Sequence, residues 1–125
     1  MHKPNIVEGI GQTLYFDGYL YVDYEGFVVQ CGGVPVQLTR QEFLLLRLLM
    51  TNAGRVLTRE FLLNTLWQGR ATHDPRTLDV HVSRLRRKLG LQSGHNYIQT
   101  LIGVGYRFIP LTVSQTEPAR RRQMV

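Results

Sequence analysis

Between Asp74 and Gly90 the chain gathers Arg76, His81, Arg84, Arg86, Arg87 and Lys88 around Thr77, Asp79, Val80 and Ser83. Two kinds of chemistry use such residues. Asp79, His81 and Ser83 are the types of a proton relay to a nucleophilic hydroxyl, whereas arginines are multidentate donors to phosphates and base edges. Spacing decides between them. Residues two apart on a helix turn to nearly opposite sides, so acid, base and hydroxyl cannot meet. The arginines need only share a face.

The segment carries strong helix signals. Asp74 is a good N-cap, Pro75 fits the first helical position, and Gly90 is a natural terminator after Leu89. At about 100° per residue, Leu78, Val82, Leu85 and Leu89 fall in a stripe about 60° wide, the expected buried side. Almost opposite lie Thr77, Val80, Arg84 and Arg87, with His81 and Lys88 on one shoulder and Arg76 on the other. An exposed valine among cations gains nothing in water, which argues against a merely solvated charged face.

Other chemistries find little support. The nine acids are mostly isolated, with no close pair for glycosidase or aspartyl chemistry. Gly103-Val104-Gly105 lacks the third glycine and following helix of a dinucleotide loop. His73 and His81 lie without a further ligand nearby, so no metal site is expected, and neither a cofactor nor enzymatic activity. Cys31, alone, excludes an intrachain disulfide and fits a reducing compartment; it reads as a small residue at a strand end. No apolar run approaches the roughly 20 residues of a membrane span, and no apolar stretch follows Lys3 as in a secretion signal. A cytoplasmic protein without membrane contact is expected.

Charge is unevenly spread. The net is +6 over 125 residues, but residues 1–38 carry −3 and residues 39–125 carry +9. A basic rear points to a polyanionic partner.

The elements that must position the arginines are legible in outline. Residues 1–12 read as a leader or linker. From Thr13 to about Gln37, β-branched and aromatic runs alternate with turn pairs: Leu14-Tyr15-Phe16, Tyr19 to Val22, Phe27 to Val29 and Val34 to Val36, separated by Asp17-Gly18, Glu25-Gly26 and Gly32-Gly33. A small antiparallel sheet follows. At Thr39 the period changes, and Thr39 with Glu42 forms a capping-box pattern ahead of Phe43, Leu46, Leu49 and Met50. Asn52-Ala53-Gly54 ends this first helix. Thr58 caps a second, with Leu62, Leu63 and Leu66, and Trp67 is expected to pack on the core. Tyr97 to Ile109 reads as a hairpin around Ile102 to Gly105, with Phe108 directed inward. Residues 13–110 thus form one domain, and 111–125, with Arg120-Arg121-Arg122, a flexible basic tail.

Strands, three helices and a hairpin in that order are the plan of an α+β winged helix-turn-helix. From Gly33 to Phe108 the chain also resembles the effector domain of OmpR/PhoB-type response regulators. The resemblance rests on Val36-Gln37-Leu38-Thr39 with Glu42-Phe43, Asn52 to Gly54, Val56 to Glu60, and Leu63 to Trp67. It continues through Arg76 to Val82 and Arg84 to Leu89, and closes with Gly103-Val104-Gly105-Tyr106-Arg107-Phe108. It covers about 100 residues with the front sheet included. Several motifs in correct order are far more specific than any one of them.

That resemblance implies an N-terminal antiparallel sheet, a three-helix core and a C-terminal β-hairpin wing. It implies a recognition helix at about 75–89 in the major groove of double-stranded DNA, with the wing, about 97–109, near the minor groove. Bases would be met by Thr77, Val80 and Arg84, the first two through methyl groups and the third through paired donors to guanine. Phosphates would be met by Arg76, His81, Ser83, Arg86, Arg87, Thr100, Tyr106 and Arg107. The loop Gln68, Gly69, Arg70, Ala71, Thr72 and His73 would face RNA polymerase. Pairs of subunits would occupy direct repeats, the free protein being a monomer or weak dimer. The sequence departs from the family where Ser83 and Ile102 stand in place of customary arginines. With the winged helix nearly filling the chain, no phosphoacceptor receiver domain is expected within it; a fragment and a stand-alone relative both fit. The rival class is a winged-helix module that binds acidic protein surfaces through the same face.

Overall fold

The computed structural model describes residues 13–67, 74–90 and 94–111. The leader, the loop expected to face polymerase (68–73) and residues 112–125 lie outside the described residues. Four short strands open the fold: β1 (Leu14–Phe16), β2 (Leu20–Asp23), β3 (Val28–Cys31) and β4 (Val34–Pro35). They pair as an antiparallel meander in chain order. The period of two turns Tyr15, Leu20, Val22, Val29 and Cys31 into the core and leaves Leu14, Phe16 and Val28 on the outer face.

The expected turns close the sheet, with one difference. Gly18, Gly32 and Gly33 take positive φ, but in the β2–β3 turn Phe27, not Gly26, does so, at φ 56°. Asp23 Oδ1 accepts from the amides of Glu25 and Gly26, both at 3.1 Å. A Cβ on Gly26 would lie 2.7 Å from Asp23 Oδ2. A side chain at position 26 would push that carboxylate oxygen aside, and handedness does not call for glycine there. The left-handed position falls to Phe27, whose ring packs on Phe43 with centroids 4.7 Å apart.

Three helices follow: α1 (Arg40–Met50), α2 (Arg59–Leu66) and α3 (Pro75–Gly90). The capping box forms as the spacing predicts, the Glu42 amide donating to Thr39 Oγ1 and the Thr39 amide to Glu42 Oε1. Thr58 caps α2. Asp74 caps α3, its carboxylate accepting from the Arg76 amide, and Gly90 forms the last residue of the helix instead of following it.

The C-terminal hairpin, β6 (Ile98–Leu101) and β7 (Gly105–Phe108), has a third strand that the sequence reading lacked. The two-residue β5 (Leu57–Thr58) pairs with β7, giving the order β5-β7-β6. Gly105 makes this possible, because a Cβ there would lie 2.0 Å from the Leu57 carbonyl oxygen. Leu111, beyond the expected domain end, still packs against the core.

The two sheets meet at Asp17, a buried carboxylate. It accepts from the hydroxyls of Tyr15 (2.9 Å) and Tyr97 (2.7 Å) and from the amides of Tyr19 and Leu20. Desolvation, aided by this carboxylate, pushes both phenols well above the ordinary tyrosine range. They stay protonated as donors. Tyr97 stands immediately before β6, so the N-terminal sheet is tied to the base of the wing.

Candidate nucleic-acid interface

The helix α3 is seated by Leu78, Val82, Leu85 and Leu89, all buried. At roughly 1.5–3 kcal/mol for each large aliphatic side chain removed from water, this stripe fixes which face turns outward. The opposite face exposes Arg76, Val80, Ser83, Arg84 and Arg87 and half-exposes Thr77. Together with Asp79, all of these except Thr77 line an open cleft of about 370 Å³. Val80, 42% exposed, lies among the cations. Among the described residues neither Arg84 nor Arg87 forms an ion pair, so both guanidiniums are available to a ligand. Arg76 pairs with Asp74 at 3.0 Å on the open surface, where such a pair is worth little and exchanges readily for a phosphate.

Besides Arg76, five of the expected phosphate ligands are engaged within the protein. Arg86 reaches back to β6, donating to the Ile98 carbonyl (2.8 Å from Nη2) and to Thr100 Oγ1 (2.8 Å). Its length and flexibility let it fold onto the wing despite its place on a charged helix. Thr100 accepts this bond, which leaves its own hydroxyl proton free on an exposed side chain. Tyr106 is only 6% exposed, and its hydroxyl donates to Asp79 Oδ1 at 2.7 Å. A phenol has one proton, so in this arrangement it has none for a phosphate. Arg107 is half-buried and directs Nε to the Gln99 side chain on the neighbouring strand.

His81 is the fifth. Its ring packs edge-on against buried Trp67, with centroids 5.1 Å apart, and Nδ1 lies 2.8 Å from the Thr77 carbonyl oxygen. A carbonyl only accepts, so Nδ1 carries the proton and Nε2 of the neutral ring is an acceptor. His81 can donate to a phosphate only as the imidazolium.

Two charged ties were not foreseen. Lys88 Nζ lies 2.6 Å from Glu42 Oε1, binding the end of α3 to the start of α1. Burial opposes ionisation of Glu42, but the Lys88 ammonium and the Thr39 amide outweigh it and hold the carboxyl below its ordinary value. Near the other end of α3, Asp79 receives Arg59 in a forked pair (2.6 and 3.0 Å) together with Tyr106. The Arg59 guanidinium keeps Asp79 ionised below the usual carboxylate range. Partners 20 and 46 positions apart leave no local signal in a sequence.

At the wing tip, Gly103 takes φ 79° and Ile102 is 93% exposed, with Val104 beside it. Among the described residues no group of three His, Cys, Asp or Glu is arranged to hold a metal. No helix among them is long and apolar enough to cross a membrane.

A meander sheet, three helices and a three-stranded wing around an outward cationic helix define a winged-helix domain. The model of the family described as transcriptional regulatory protein, C terminal, matches residues 33–108. The chain belongs to this family, the effector domains of OmpR/PhoB-type response regulators. It is 42% identical over 91 residues to the sensory transduction protein RegX3 of Mycolicibacterium smegmatis, spanning 72% of this chain and 40% of that protein. It is 40% identical over 91 residues to the phosphate regulon transcriptional regulatory protein PhoB of Pseudomonas aeruginosa, spanning 73% and 39%. The chain thus covers about two fifths of the length of these curated relatives. Among solved structures it resembles DrrB, an OmpR/PhoB homolog of Thermotoga maritima, with TM-score 0.70 and 36% identity over 83% of this chain and 49% of that one. It also resembles the RstA DNA-binding domain of Klebsiella pneumoniae in complex with the RstA box, with TM-score 0.68 and 34% identity over 80% of this chain and all of that one.

Proposed function

We propose that this chain binds double-stranded DNA sequence-specifically as the effector domain of a transcription regulator, with α3 in the major groove. The observation that carries this reading is the outward face of α3, where, among the described residues, Arg84 and Arg87 stand without acidic partners beside an exposed Val80. An arginine held there donates two hydrogen bonds to guanine O6 and N7, and the methyls of Val80 and Thr77 meet thymine. Arg76, Arg87, Ser83 and the free hydroxyl of Thr100 are the groups best placed for phosphates. Arg86 and Tyr106 support them from behind, and His81 and Arg107 join only by leaving or adding to their present partners. The RstA domain's complex with the RstA box, a solved neighbour at 34% identity, supports DNA as the ligand.

By family likeness we extend the proposal to pairing of subunits on direct repeats and to a polymerase-facing role for residues 68–73. No metal or cofactor enters the reading. Selection from a random-sequence duplex pool tests it. The expected result is one enriched motif, and Arg84→Ala should relax one base position of it at a cost of about 1–3 kcal/mol. Unchanged preferences in that variant would refute the role of Arg84. Steep salt dependence without any motif would leave only generic polyanion binding and favour the acidic-protein partner.

A further inference from the structure

Asp79 presents a puzzle on a surface meant for a polyanion. It lines the same cleft as Arg76, Val80, Ser83, Arg84 and Arg87, and a carboxylate there repels phosphates. Its bonds suggest what offsets that cost. Oδ1 accepts from Arg59 Nη1 at 2.6 Å and from the Tyr106 hydroxyl at 2.7 Å, while Oδ2 accepts from Arg59 Nη2 at 3.0 Å. Arg59 Nη2 also donates to the Pro75 carbonyl at the start of α3. Three elements therefore meet on one carboxylate.

The wing side of this junction behaves as one piece. Arg59 directly follows β5, whose Leu57 pairs with Tyr106 on β7, and the Arg59 amide donates to the Val104 carbonyl at the wing tip. On the far side of α3, Arg86 holds β6 through Ile98 and Thr100. Among the described residues, side-chain hydrogen bonds thus brace the wing against the recognition helix at two points, and of these the Asp79 point reaches the strand bearing Tyr106.

Resting on the DNA-binding reading above, we propose that Asp79 is a positioning residue: through Tyr106 and Arg59 it sets the wing's place relative to α3, so that major-groove and minor-groove contacts are made together. The Tyr106 hydroxyl and the Arg59 guanidinium act on DNA only through Asp79. Loss of the tie loosens the wing on its β7 side, while the four aliphatic side chains and the bonds of Arg86 and Lys88 still hold α3.

The experiment compares Tyr106→Phe, Asp79→Ala and the double variant on the duplex selected from the random pool. Tyr106→Phe keeps the buried ring and removes one oxygen, and thermal melting checks that each variant is folded. Tyr106→Phe should weaken binding about tenfold, the scale of one hydrogen bond to a charged group, and Asp79→Ala less, because it also removes a charge that repels phosphates. The double variant should be no weaker than the weaker single, because both remove one shared tie. Hydroxyl-radical protection should fade on the wing side, with base preference in the major groove unchanged. Arg59→Gln should leave the slope of affinity against salt as it is. Additive losses, intact wing protection, altered base preference or a salt slope lower by about one in Arg59→Gln would each overturn the proposal. A wild-type domain with no sequence preference would overturn the DNA reading itself, and this proposal with it.

Discussion

Replacing Lys88 by methionine tests whether the end of α3 is fixed by a buried charge. Glu42 is only 2% exposed and keeps its charge because Lys88 Nζ lies 2.6 Å away and the Thr39 amide donates to the same oxygen. Breaking a fully buried pair costs about 3–5 kcal/mol. Lys88 is 35% exposed, so solvent already screens part of the attraction, and the Thr39 amide remains, which lowers the expected cost to about 2 kcal/mol near neutral pH. For a domain of this size that corresponds to a fall in Tm of about 8 °C. The pH dependence gives the sharper test. In the parent the Glu42 carboxyl titrates below its unfolded value near 4.3, so its stabilisation is complete above that value and is lost as pH falls through the native one. Without the ammonium, burial remains the largest influence on Glu42 and its main opponent is gone, so its pKa rises from the parent's and acidification costs the variant less than the parent. Circular-dichroism melts near pH 7 and near pH 4 should show the gap closing. An equal gap at both, or none near pH 7, would refute the reasoning. The salt slope of DNA binding should not change, since Lys88 faces Glu42 and not a phosphate.

Ile102→Arg should tighten binding, most on duplexes with A·T-rich flanks, because arginine exploits the potential of a narrow minor groove and isoleucine cannot; unchanged affinity would show that the wing tip does not reach the groove. Gly105→Ala should destabilise the fold by about 3 kcal/mol in urea denaturation, because the added methyl would overlap the Leu57 carbonyl and part β5 from β7; a variant as stable as the parent would refute that close approach.

What the sequence disclosed follows the range of the interactions involved. Asp74, Pro75 and the spacing of Leu78, Val82, Leu85 and Leu89 are local signals, and they placed α3 and its buried side. The Thr39–Glu42 box did the same for α1. β5 escaped notice because two residues carry no period, and the glycine that admits it lies almost 50 positions away, read only as part of a hairpin turn. In the β2–β3 turn, the pair Glu25-Gly26 marked the turn but not that Phe27 would take its left-handed position. Helical azimuth placed Lys88, and the family resemblance placed Arg86, by their position on the helix, but long side chains end far from where they begin. Both fold back onto partners that no spacing rule connects to them.

These ties sort the charges of α3 by use. Arg86, Lys88 and Asp79 are spent inward, each on a different element: β6, the start of α1, and the pair of α2 and β7. Arg84 and Arg87 are left outward, and Arg76 is held only by an exposed neighbour. A helix seated by aliphatic side chains alone would be free to rotate or slide by small amounts at little cost, since apolar burial has no direction. Hydrogen-bonded charges do have direction, and the ties of Arg86 and Lys88 remove that freedom, while the tie of Asp79 places the wing. On the proposed reading, base readout by Arg84 needs such fixity, because a bidentate bond discriminates only when the backbone behind it cannot shift to suit another base. The cations that never touch the ligand are therefore as much a part of recognition as those that do.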